Sequence, residues 1–515
     1  MAKEFKDANT ASTDTASLDR SLVVGVAWTA GMKWLTQVVS WGSTLLVARI
    51  LTPSDYGLYG MAMFYMGLVA PIYDLGLSAA IIQRRDMDRE QVARLGGLSL
   101  IYAFGFSLLC MALSPVVASF YHEPRVEGIV LLLSVMFMIT APQMLPRALL
   151  ARELQFRKLA WLDSVAAITL MVGNLVFALL GFRYWSFVYA GMISAVITTG
   201  VAISWAPHRI SWPSQFRSIR SAATFGWQVA FARVGEYVYT NADFAVVGRA
   251  LGGAVLGAYT FGWTLATIPI DRVSALVERV IPSVLSAAQN DVAALRRYTL
   301  ALTEGLAFIV LPLAIGMSIT ADHLVRLGLG PQWSAAVGPL RLLAFYGGFR
   351  AIATIIPPVL VATGHARRDL HYTFFAVLVL PPLFFAGSHW GAVGVAAAWA
   401  LGFPIVMFPA YRFAFRLLGM RPTAYIGALW PALSSTIAMA LMVLTARRVM
   451  PATYPVSVQF AIEVLVGAIT YVGVIALRHR SRALAFVNMV RRLRGGVSEE
   501  AGVVPADPES SAAPA

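Results

Sequence analysis

Residues 45–60 read LLVARILTPSDYGLYG, and residues 244–260 read FAVVGRALGGAVLGAYT. Laid over each other at a shift of 200 without a gap, Val47, Arg49, Leu51, Gly57 and Tyr59 coincide with Val247, Arg249, Leu251, Gly257 and Tyr259. In each copy an apolar run reaches an arginine, breaks over a few turn-forming residues and gives way to a second apolar run. Both stretches therefore read as a span, a short outer turn and a new span. The match predicts a duplication. Six crossings separate the copies, so they share an orientation, and a parallel repeat of this kind predicts two bundles related by an axis along the membrane normal.

The composition around these stretches agrees. The chain has 515 residues, 58% hydrophobic and 13% charged, where a soluble domain carries about 25% charged residues. That excludes an ordinary cytosolic enzyme. Apolar runs between charged or Pro/Gly-rich breaks fall near 22–51, 56–83, 95–120, 127–146, 159–180, 185–206, 221–251, 255–288, 298–320, 334–363, 371–386, 391–411, 424–446 and 456–477. All but the shortest, 371–386, are of a length that crosses a hydrocarbon core of roughly 30 Å. The fold expected is all-α: a polytopic membrane protein of about 14 transmembrane helices, two six-helix lobes in parallel pseudo-twofold repeat plus two C-terminal helices. The corresponding division is a polar tail at 1–20, an N-lobe at 21–206, a C-lobe at 207–420, a helix pair at 421–478 and a basic, then disordered tail at 479–515. No apolar segment with a cleavage site precedes Ser21, and the final GGVSEEAGVVPADPESSAAPA is too polar to offset its ordering entropy.

Forty Lys+Arg against 26 Asp+Glu give a net charge of +14, which in a soluble chain would suggest a nucleic-acid partner. The location of the charge removes that reading. Basic residues gather in loops on one side, as in Arg84, Arg85, Arg89 and Arg94 or Arg147, Arg152, Arg157 and Lys158. By the positive-inside rule these loops and both termini are cytoplasmic. Eight basic residues remain within spans: Lys33, Arg49, Arg233, Arg249, Arg272, Arg279, Arg341 and Arg350. A cation at the bilayer centre costs about 2.5 to 3.5 kcal/mol on insertion scales, so it snorkels, pairs or faces a wet cavity. Arg49 and Arg249 sit at outer ends, where snorkelling is easy. Lys33, Arg233, Arg272 and Arg350 fall near mid-span and are the candidate substrate-binding residues for an anion. The shift of 200 also pairs Lys33 with Arg233. The plain alternative is local neutralisation, with Glu236 one helical turn beyond Arg233 as partner.

Five in-span carboxylates, Asp74, Glu236, Asp243, Asp271 and Glu304, are candidates for coupling to H+ or Na+, because a desolvated carboxylate loads and unloads a proton as its surroundings open and close. The alternative is that they only neutralise nearby bases. Prolines within spans, Pro71, Pro142, Pro146, Pro269, Pro357, Pro358, Pro381 and Pro382, predict kinks. Several motifs carry little. Asp86-Met87-Asp88 has the form of a metal-binding D-x-D but lies among arginines, as solvated loops do. His122-Glu123 lacks a second histidine, the one cysteine is Cys110, and no phosphate-binding P-loop occurs. No catalytic residue, metal site or resident cofactor is expected.

The segments VARILTPSDYGLYGMAM, DLGLSAAIIQRR, NADFAVVGRALGGAVLGAYTFGWTLATIPIDRVSALVERVIPSVLS and GPQWSAAVGPLRLLAFYGGFRAIATIIPPVLVATGHARR together resemble the polysaccharide-transport family of oligosaccharide flippases, in particular its Wzx-type, colanic-acid-exporter-like branch. The resemblance runs from about residue 20 to 420. It implies membership of the multidrug, oligosaccharidyl-lipid and polysaccharide exporter superfamily, with two six-helix lobes around a central cavity. It also implies a bacterial inner-membrane protein, not an enzyme, that turns a polyprenyl-diphosphate-linked oligosaccharide repeat unit over for exopolysaccharide or lipopolysaccharide synthesis by alternating access. Membrane lipids and polymerase or export machinery would be its other partners. In related flippases the first, seventh and eighth helices carry the charged cavity positions, which ranks Lys33, Arg233 and Arg272 above Arg350. The last two helices resemble additions that hold a lipid tail. Two other readings stay open. One is a multidrug exporter of the same superfamily, disfavoured by mid-span cations. The other is a membrane polysaccharide polymerase or ligase, disfavoured by an outer loop at 321–333 too short to house glycan chemistry.

Overall fold

A computed structural model describes residues 42–74, 88–153, 155–208, 210–212, 216–278, 281–451 and 453–482. The described chain is helical and contains no strand, as lipid requires: helices satisfy every backbone N–H and C=O internally. The helices are α1 (42–50), α2 (Pro53–Asp74), α3 (Arg89–Ala112), α4 (Ser114–Tyr121), α5 (Arg125–Arg152), α6 (Phe156–Leu179), α7 (Trp185–Trp205), α8 (Phe216–Leu251), α9 (Gly253–Glu278) and α10 (Ile281–Ala287). They continue as α11 (Val292–Ile319), α12 (Ala321–Gly328), a 3-10 turn at Pro331–Ala336, α13 (Val337–Ala353), α14 (Ile356–Ala362), α15 (Ala366–Ser388), α16 (Gly391–Ala397), a π-turn at Ala398–Gly402, α17 (Phe403–Leu417), α18 (Pro422–Val449) and α19 (Val456–Arg478).

Among the described residues, 11 helical segments are long and apolar enough to cross a membrane. They correspond to the third to sixth and eighth to fourteenth spans read from the sequence. The first expected span is described only from residue 42, the second to Asp74, and the seventh is the 36-residue α8. The protein is a multi-pass helical membrane protein.

The sequence breaks become specific local structures. Thr52 caps α2 through a reciprocal arrangement in which its backbone N–H and hydroxyl donate to Asp55 Oδ2 at 3.0 and 2.7 Å, while Asp55 N–H donates to Thr52 Oγ1 at 3.3 Å. Pro53, lacking an N–H, takes the first helical position at no cost. In the second copy the place of Thr52 is held by Gly252, whose φ of +84° makes the same turn by a left-handed backbone instead of a side-chain cap. Pro357 and Pro358 do not kink a single helix: α13 ends at Ala353, and both prolines sit in the first turn of α14. Within the expected span 255–288 the structure describes α9 to Glu278 and α10 from Ile281. Pro71, Pro142, Pro146, Pro269, Pro381 and Pro382 lie inside continuous helices.

Two compact units emerge. One runs to Thr260 and takes in Gly328–Trp333; the other comprises Phe261–Leu327 and the chain from Ser334. In the first unit α2 packs on α8, α3 on α5, α5 on α7 and α6 on α7. The short segment 328–333 belongs to it because the buried Trp333 donates its indole N–H to the Ala48 carbonyl at 2.8 Å and Gln332 donates to the Arg49 carbonyl at 3.3 Å. In the second unit α11 packs on α13 and α18, and α18 on α19. Large apolar side chains such as Leu179, Phe374, Leu401 and Ile469 are exposed, which suits a lipid-facing surface.

Candidate functional site

The best-defined intramembrane charge pair lies in the second unit. Arg350, near the end of α13, donates through Nη2 to Asp271 Oδ1 on α9, and its guanidinium carbon stands 5.9 Å from the Tyr346 ring centroid. Both charged side chains remain partly accessible, at 32% and 49%. Arg350 Nε is buried and meets no acceptor, so Asp271 engages only one arm of a guanidinium able to donate five hydrogen bonds. Arg272 follows Asp271 directly and is exposed, and Pro269 precedes the pair within α9. The arrangement can do what a bare point charge cannot: balance the charge of a cation in the membrane while leaving donors for an oxyanion.

The first unit holds a different set. Arg233 and Glu236 are both exposed on α8, one turn apart. Asp243 is fully buried and accepts a hydrogen bond from the equally buried Tyr259 hydroxyl at 2.7 Å. It lies ten residues beyond Arg233, roughly 15 Å along the helix, so the two serve separate places. Lys33 lies outside the described residues, as does the side chain of Asp74. Glu304, on α11, pairs with Arg482 at 3.2 Å, a base beyond the last span. The structure thus brings Asp271 and Arg350 together, sets Arg272 beside them, and buries Asp243 against a tyrosine.

The two repeat arginines meet different partners. Arg49 Nε donates to the Gly328 carbonyl at 3.2 Å, while Arg249 contacts the His122 imidazole with its guanidinium carbon 5.8 Å from the Phe120 ring centroid. Beneath them α2 and α9 cross with backbone against backbone. A Cβ added at Gly57 would overlap the carbonyl oxygen of Gly253, and one added at Gly257 would overlap that of Pro53. Shifting the first pair by 200 residues gives the second. His122-Glu123 also finds its role here: Glu123 accepts from Arg125 at 2.8 and 2.9 Å, and that hydrogen bond holds its carboxyl below the usual range. Asp88 of the D-x-D triplet is the N-cap of α3, accepting from the Gln91 N–H at 2.6 Å.

Sequence reasoning missed a second charged cluster. His323 Nδ1 lies 2.8 Å from Glu463 Oε2, and its Nε2 lies 3.7 Å from Asp322 Oδ2. Arg447 pairs with Asp322, stands 3.6 Å from Glu463 and donates to the Ile319 carbonyl at 3.0 Å. Burial pushes the Asp322 carboxyl up, but the hydrogen bond and charge of Arg447, helped by His323, outweigh it and hold the group below its ordinary value. The available signal was that Glu463 is the lone carboxylate of the apolar run 456–477. Among the described residues no group of three or more His, Cys, Asp or Glu is disposed to hold a metal ion.

These features define a polytopic helical membrane protein with ionised groups held inside its bundles, and comparison with solved structures gives the same fold. The chain is similar to a lipid II flippase MurJ in an inward closed conformation, with a TM-score of 0.71, 14% identity and coverage of 88% of this chain and 99% of that one. A family model described as "Polysaccharide biosynthesis protein" matches residues 46–338, more than half of the sequence, and the chain belongs to that family. Among curated proteins it is 23% identical over 424 residues to the lipopolysaccharide biosynthesis protein WzxC of Escherichia coli (strain K12), covering 80% of this chain and 85% of that protein. It is 21% identical over 476 residues to the succinoglycan biosynthesis transport protein ExoT of Rhizobium meliloti (strain 1021), covering 92% and 96%.

Proposed function

We propose that this protein is a flippase that carries polyprenyl-diphosphate-linked oligosaccharide repeat units across the bacterial inner membrane for exopolysaccharide or lipopolysaccharide assembly. The family membership and the naming of similar proteins for polysaccharide biosynthesis and transport support the reading. Both termini are cytoplasmic, following the basic loops. A sugar diphosphate loses its hydrogen bonds to water on entering hydrocarbon, so a polar passage must replace them while the prenyl tail stays in lipid. Turnover proceeds by alternating access, with residues 21–206 and 207–420 as the moving lobes and 421–478 beside the lipid tail. Lys33 from the first repeat and Arg233, Arg272 and Arg350 from the second bind the diphosphate or acidic sugars. Asp271 balances the charge of Arg350 between substrates, and an H+ or Na+ gradient drives the cycle.

The observation that carries this reading is the Arg350–Asp271 pair, an intramembrane guanidinium with buried Nε–H still unmatched. The experiment is deletion of the gene followed by analysis of lipid-linked intermediates. The expected result is loss of surface polymer and accumulation of one complete diphosphate-linked repeat unit, reversed by the wild-type gene. Unchanged polymer with no accumulated intermediate would contradict it.

A further inference from the structure

The Asp322, His323, Arg447 and Glu463 cluster gathers residues from three helices of the second unit. α19 is apolar along its length, and the residues it buries are Glu463 and Gly467. Glu463 is 0% exposed at its side chain, and neither its Oε1 nor the Oδ1 of Asp322 meets a hydrogen-bond donor. A carboxylate sealed this way is not a surface ornament, because removing an ion from water costs several kcal/mol unless its partners restore it.

Which partners restore it sets the chemistry. From α18 comes Arg447; from α12 come Asp322 and the buried His323; from α13 comes Arg341, half-exposed and 3.9 Å from Asp322. Arg326 and Arg448, on α12 and α18, are exposed. The inner group therefore holds two carboxylates and one guanidinium, and the imidazole between them is the group that can carry the balancing charge. Ionised Glu463 can only accept, so the 2.8 Å contact fixes the hydrogen of a neutral His323 on Nδ1. That leaves Nε2, 3.7 Å from Asp322, as the open acceptor.

The geometry points to His323 Nε2 as a proton-binding site, held between Glu463 and Asp322 where the end of α18 meets the start of α19, through which the flippase takes up a proton during turnover. Binding adds one H+ from water to Nε2 and turns imidazole into imidazolium; Nδ1–H stays donated to Glu463, and the inner cluster becomes neutral. Release reverses the step. Because α19 buries this one carboxylate, loading also alters how firmly α18 and α19 are held to α12. The coupling role rests on the flippase reading, whereas the proton site does not.

The test uses the full-length protein in lipid nanodiscs, 15N-labelled at its seven histidines, with the His323 signals assigned as those absent from His323→Asn. On acidification Nδ1 should remain protonated throughout and Nε2 should gain its proton while circular dichroism still reports the native helix content. In Glu463→Gln, which keeps the shape and an accepting oxygen, proton binding should weaken by roughly tenfold, as expected on losing an adjacent negative charge. An Nε2 that stays bare wherever the protein is folded, a Glu463→Gln titration like wild type, or a response to Na+ instead of acid would overturn the site. In cells, wild-type polymer export should vary with external pH, and His323→Asn should lose that dependence; if it keeps it, the coupling role falls. The spectra need no substrate, so their failure leaves the flippase reading standing, and failure of the deletion experiment leaves the proton site standing.

Discussion

Gly57 lies against the carbonyl of Gly253 so closely that no Cβ fits between them, and Gly257 stands in the same relation to Pro53. One crossing of α2 and α9 therefore carries the sequence repeat into three dimensions, with each copy supplying both the glycine and the backbone it touches. Glycine is required here by approach, not by turn geometry.

Gly57→Ala should destabilise the protein by more than about 3 kcal/mol, above the usual range for overpacking, because the atom it strikes is main chain and cannot rotate aside. Gly60→Ala is the control: its nearest neighbour is Leu256 Cδ2 at 3.5 Å, an ordinary contact. Thermal unfolding in detergent checks both. Since Gly57 and Gly257 share one crossing, the double variant should lose less than the sum of the singles.

Tyr259→Phe should cost about 1 to 3 kcal/mol, since it strips a donor from the buried Asp243 carboxylate while preserving the ring. Chemical unfolding of the purified variant measures this. Equal stability to wild type would mean that other contacts of Asp243 suffice.

Asp322 gives a pH dependence of known sign. Its folded carboxyl lies below its ordinary value, so the stabilisation is fully present above the unfolded value of about 3.9 and is lost as pH falls through the folded one. Asp322→Asn should therefore melt below wild type at neutral pH, and the two curves should converge in strong acid. Parallel curves at every pH would place the stabilisation elsewhere.

The spans were legible because a bilayer imposes length and composition directly, and the break before α2 because Thr52 and Pro53 are turn-forming residues. The charge partners were not. Asp271 and Arg350 are 79 residues apart, and His323 and Glu463 are 140 apart; no periodicity records which helix face meets which. Glu304 shows the limit well, since its partner Arg482 lies beyond the last span instead of among the in-span cations. The double proline at 357–358 was legible as a break, but only packing decides that a new helix starts there and not a kink.

Arg350→Lys keeps the charge and removes the guanidinium fork. If Arg350 grips a diphosphate through paired N–H groups, this variant should export polymer markedly more slowly than wild type while folding as stably, and Arg350→Ala more slowly still. Surface polymer per cell at matched protein level is the measurement. A fully active Lys variant would reduce Arg350 to a point charge for Asp271.

The most direct measurement is transfer of a purified polyprenyl-diphosphate-linked oligosaccharide from one leaflet to the other in proteoliposomes, followed by an enzyme or lectin confined to the far side. Wild type should transfer it well above protein-free vesicles, and Arg350→Glu should lower the initial rate by at least about tenfold, or ~1.4 kcal/mol. Transfer that is no faster than in empty vesicles, or that is unaffected by reversing this charge, would contradict a cation-assisted passage for the headgroup.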